Sequence, residues 1–158
     1  MIRDLASRKI SMTASVAPAI AKRPRKKAGL ALWMERVLEE CFHASLDFSA
    51  DPVHDLRVAL RRCRSIADGL RVMDPDPAWK QMKKTGRQLF RELGELRDVQ
   101  VMEEWVRQLG DPADPVVITL LQFLSAREAH LKQQAAVALQ NFDRKQWRKW
   151  IRTLPRRA

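Results

Sequence analysis

The chain has 158 residues, with 30 Lys+Arg against 19 Asp+Glu and a formal net charge of +11; that is long enough for one domain with its own core, and 46% hydrophobic content excludes disorder throughout. Two cysteines and three histidines are too few for a disulfide framework, and no apolar run approaches the roughly 18 residues of a membrane span. The expectation is a strongly basic, cytoplasmic, single-domain protein whose partner is an anion.

The charge is uneven along the chain. Residues 1–29 carry eight Lys/Arg and one acid, Asp4, whereas residues 30–158 carry 22 basic and 18 acidic residues. The first segment mixes Ser, Ala, Pro and Lys without periodicity, so 1–29 is expected to be a disordered basic tail. A signal peptide fits less well, because Ser, Thr and Pro18 interrupt its apolar stretch. The folded domain is then 30–158.

Within that domain the pairs Asp51-Pro52, Asp76-Pro77 and Asp114-Pro115 read as helix starts. An Asp side chain accepts from free N–H groups of the first turn, and Pro at the first helical position loses no bond. The expected helices are 30–46, 52–72, 77–109 and 115–140, with a shorter one at 143–153. Gly110 closes the third. No segment alternates with period two and Tyr is absent, which argues against a sheet. The expected fold is all-α: an antiparallel four-helix bundle with a short extra C-terminal helix.

In the second segment Leu56, Ala59, Leu60, Cys63, Ile66, Ala67 and Leu70 share an arc of about 120°, the core face. Nearly opposite, His54, Arg57, Arg61 and Arg64 share about 80°, with Asp68 one turn beyond and Arg62 off the stripe. The third segment repeats this arrangement. Met82, Gly86, Leu89, Leu93 and Leu96 mark its apolar face, and Lys80, Lys83, Lys84, Arg87 and Arg91 cluster on the other side. From Arg57 to Arg97 there are eleven basic and five acidic residues. In the last segment Trp147, Trp150, Ile151 and Leu154 share a face. It is expected to pack back on the bundle or on a partner, with a membrane-surface helix the weaker alternative. The five tryptophans stand mostly at core-compatible spacing.

Catalysis finds little support. There is no Walker-type phosphate loop, HExxH, nucleophile elbow or zinc-spaced Cys/His set, and Cys41 and Cys63 read as buried, inert thiols. Neither an enzyme nor a cofactor is expected. Polyanion binding fits better, since Arg gives planar multidentate donors to phosphate oxygens and Lys gives compact charge. His54, near a helix start, is expected to be a neutral hydrogen-bond donor. Solvated helix faces are the ordinary explanation for one basic stripe, but two on consecutive helices weaken it. Base-reading amides are rare on these stripes and the tryptophans lie outside them, so sequence-blind phosphate recognition is favoured over duplex DNA or RNA.

Residues 53–65 (VHDLRVALRRCRS) resemble the first signature of the CHAD family, the conserved histidine α-helical domain. Residues 93–101 (LGELRDVQV) resemble its second, in the right order and about 30 residues on. The helix pattern over about 30–153 is similar to one half of that domain. The resemblance implies inorganic polyphosphate as ligand, bound without catalysis in a positive cavity, and association with polyphosphate granules in bacteria. His54, Arg57, Arg61 and Arg64 match the first motif, and Lys84, Arg87 and Arg97 the second, with Asp98 orienting a cation. Lys80, Lys83 and Arg91 rest on helical spacing alone. Gln100 stands where the family often has an acid. The family's second four-helix half and its frequent triphosphate-tunnel neighbour have no counterpart in this sequence. The expectation is either a half-domain that forms a homodimer to rebuild the cavity or a truncated chain. The alternatives are a nonspecific nucleic-acid-binding protein working through its tail, and a scaffold for an acidic protein partner.

Overall fold

A computed structural model describes residues 29–157. These form α1 (Leu30–Asp47), α2 (Ala50–Met73), α3 (Pro77–Leu109), α4 (Pro115–Gln140) and α5 (Arg144–Thr153), closed by a 3-10 turn at Leu154–Arg156. The protein is all-α, with no strand among the described residues. Residues 1–28 of the expected tail lie outside the described residues.

Two of the three Asp-Pro pairs cap helices as their chemistry predicts. Asp76 accepts from the Ala78 amide at 2.7 Å and Asp114 from the Val116 amide at 2.8 Å. The third does not. Helix α2 begins at Ala50 behind Ser49, so Asp51 lies inside the first turn, where its charge suits the helix dipole without capping. The reason is the tight α1–α2 corner. Asp47 accepts from the Ser49 amide at 2.9 Å, and Phe48 turns the chain in the left-handed region at φ 52°.

Consecutive helices pack as α1–α2, α2–α3 and α3–α4 pairs, and α5 rests on α1 and α3. The core is built from Met34, Leu56, Leu60, Trp79, Leu89, Leu93, Leu131 and Trp147. Trp147 and Trp150 are both buried, so α5 packs its aromatic face into its own bundle. The Trp147 indole N–H donates to the Met34 carbonyl at 3.0 Å. Not every tryptophan follows: Trp105 is 61% exposed.

Close approach between α2 and α3 depends on Gly86. A Cβ there would meet Leu60 Cδ2 at 3.3 Å. The chain end is tied to the α2–α3 turn by Arg157, which donates to both oxygens of Asp74 and pairs with Asp76.

Candidate functional site

The direction of α3 against α2 follows from two contacts. At the far end of α2, Asp68 pairs with Lys83 near the start of α3. The first residues of α2, Ala50 and Asp51, share a groove with Arg97 and Arg107 near the end of α3. The two helices therefore run in opposite directions, and their basic stripes lie along one seam.

Two adjoining grooves occupy that seam. The first, about 660 Å³, is lined by Arg57 and Arg64 of α2 and by Lys84, Arg87, Gln88, Phe90, Arg91 and Gly94 of α3. The second, about 400 Å³, is lined by Arg64, Arg71, Lys80, Lys83, Lys84 and Arg87. They share Arg64, Lys84 and Arg87, so the cations form one continuous track. No carboxylate lines either groove, although Asp68 reaches Lys83 from the side.

Helical geometry explains which cations gather. Along α2 the stripe has two edges about 60° apart. Arg57 and Arg64 lie on the edge facing α3, and Arg71 continues it at the next heptad. His54 and Arg61 lie on the other edge; both are exposed and line neither groove. Arg97 lines neither groove. It lines a mixed-charge groove with Gln100, Glu103, Arg107, Glu128 and Lys132, and its Nη1 is buried without a hydrogen-bond partner.

Phe90 forms an apolar seat for the cations. The guanidinium carbons of Arg57 and Arg64 lie 5.3 and 4.8 Å from its ring centroid, within cation–π range. Arg57 is half-buried, and its Nη1 is buried without a partner. Burial lowers the Arg57 pKa, and the nearby Arg61 and Arg97 charges add to this, opposed by the Asp98 carboxylate. Such a cation, drawn partly out of water and short of counter-charge, gains from an anion in the groove. The Asp98 carboxylate acts on Arg57 through charge alone, in the direction that favours the guanidinium.

Other cations are already engaged. Arg91 donates to Glu92 at 2.7 Å, and this hydrogen bond raises its pKa. Arg62 lies over the Trp33 ring, 5.5 Å from its centroid, away from the seam as its off-stripe position requires. Gln100 is buried and donates to the Phe48 carbonyl at 2.9 Å and to Glu128 at 3.0 Å. In this chain it ties α3 to the α1–α2 corner and to α4.

Sequence reasoning passed over Phe90, Gly94, Gln88 and Arg71. Phe90 and Gly94 continue the Lys83–Arg87 row at helical spacing, and Arg71 lies seven residues after Arg64. That signal was available. Among the described residues no His/Cys/Asp/Glu group is arranged to hold a metal, and no helix is long and apolar enough to cross a membrane.

A family model described as CHAD domain matches residues 32–158, nearly all of the described helices. No curated protein and no solved structure matches the chain significantly.

Proposed function

The chain belongs to the CHAD domain family, and on that premise we propose that it binds inorganic polyphosphate, without catalysis, in the seam between α2 and α3. One observation carries the reading. Arg57, Arg64, Lys84, Arg87 and Arg91 converge from two helices on a groove that no carboxylate lines. A polyphosphate chain offers a repeating anion with no bases to read, and the track offers repeating cations with few amides. The Phe90 ring is already engaged by two guanidinium groups, which leaves less aromatic surface for stacking a nucleobase. The cell-level counterpart is association with polyphosphate granules in the cytoplasm.

The test compares long-chain polyphosphate, duplex DNA and RNA at about 0.15 M salt, held fixed because phosphate contacts are strongly salt-dependent. The full-length chain should prefer polyphosphate, and the preference should collapse in Arg57→Ala/Arg64→Ala/Arg87→Ala. It should survive replacement of the Lys and Arg of residues 1–28 by Gln. Polymer length, followed on a gel, should not change. Equal affinity for all three polymers, lost on neutralising the tail, favours the nucleic-acid reading instead.

A further inference from the structure

The far end of the α3–α4 pair carries a second surface, of opposite character. Leu109 is 85% exposed, Val116 72%, Phe123 65% and Trp105 61%. Trp105 and Leu109, with Met102, Val117, Leu120 and Leu124, line an apolar groove of about 440 Å³, and Val116 and Phe123 flank Leu120 along α4. A contiguous exposed patch of large apolar side chains marks an interaction surface, whereas scattered ones do not.

The charges around the patch say what fits it. Residues 115–126 carry no charge, a length of about 18 Å along the helix. Asp111 and Asp114 precede this stretch and Arg127 follows it. Val116, Leu120, Phe123 and Arg127 form one stripe at i, i+4, i+7 and i+11. Laid antiparallel on a copy of itself, with the two-fold axis near Leu120, this stripe pairs apolar with apolar. The same operation brings Arg127 of each copy to the Asp111–Asp114 turn of the other. Such self-complementarity is what an isologous contact requires.

The cationic seam does not oppose it. Arg91 and Trp105 are 14 residues apart on α3, about 21 Å along the axis, more than two Debye lengths at physiological salt. The acids at the rim also work against an anionic lipid surface.

We propose that this α3–α4 face is a homodimer interface, with α4 packed against α4 of a second copy about a two-fold axis near Leu120. The cationic seam stays open on each copy. The proposal is independent of which anion that seam binds.

Sedimentation equilibrium of the full chain over a micromolar concentration series should show a reversible monomer–dimer equilibrium. Phe123→Glu should weaken it by about tenfold or more, and Arg127→Glu should weaken it less, while helical circular dichroism stays unchanged. Under mild oxidation Leu120→Cys should form a covalent dimer, and Val137→Cys, further along α4, should not. The native Cys41 and Cys63 are buried and do not confuse the readout. A chain monomeric at every concentration overturns the proposal. So does a dimer that is indifferent to Phe123→Glu and not trapped through Leu120→Cys.

Discussion

The Arg57 guanidinium occupies space that a side chain at position 94 would need. Its Nη1 lies 2.7 Å from where a Cβ on Gly94 would stand. Gly94 sits inside α3 with no turn to make, so its role is to let the cation lie close to the helix. Arg57 is held between this gap and the Phe90 ring.

Gly94→Ala should therefore separate stability from binding. Alanine favours a helix interior by about 1 kcal/mol over glycine, and the displaced group is the flexible tip of an arginine. Thermal unfolding should move up or stay level, while polyphosphate affinity falls several-fold. A variant that loses both together would mean that Gly94 serves backbone packing.

Phe90→Leu keeps apolar bulk but removes the π face beneath two guanidinium groups. Each such contact is worth about 0.5–1 kcal/mol at accessible sites. Stability should fall by no more than about 2 kcal/mol for the pair, and polyphosphate should bind more weakly with a similar salt slope. Isothermal titration at several salt concentrations reads both.

Trp147 is 1% exposed and spans from α5 to the Met34 carbonyl of α1. Trp147→Ala should cost about 3–5 kcal/mol, the usual range for emptying a buried aromatic site. Phe42→Ala, at a residue 63% exposed, should stay within about 0.5 kcal/mol. Chemical denaturation of both variants checks the contrast.

Asp74 accepts hydrogen bonds from Arg157 and from the Trp79 indole, which lower its pKa from 3.8 to about 2. A carboxylate depressed by folding stabilises the native state above its unfolded pKa. That contribution is lost as pH falls from about 4 through about 2. Melting curves should therefore show Asp74→Asn with a shallower acid slope than the parent in this window, and with lower stability at neutral pH.

Burial pushes the Cys41 and Cys63 thiols up to about 12. Neither should react with a disulfide reagent at pH 8 while the protein is folded, and both should react in denaturant. Rapid reaction of either in the native protein would show that its helix opens locally.

Much of the fold was legible because its signals are local. A carboxylate caps the amide two residues on, so Asp76 and Asp114 announce α3 and α4 wherever those helices pack. Asp51 misled because the start of α2 depends on a corner made by Asp47 and Phe48, whose left-handed turn no capping rule anticipates. The cations were legible in the same way, as rows at helical spacing.

Sequence alone determined an all-α chain, two helices apolar on one side and basic on the other, and the motifs of the family. Each of these depends on residues within a few turns of one another. Tertiary structure decided which edge of each stripe faces the other helix. It set Arg57, Arg64 and Arg71 along the grooves, with His54 and Arg61 outside their lining, and it seated two of them on Phe90. It also buried Trp147 and Trp150 and left Trp105, Leu109 and Phe123 outside. The physical reason is that a stripe about 80° wide lies within one helix's own geometry, whereas its inward edge exists only once Leu60 and Gly86 bring a second helix alongside.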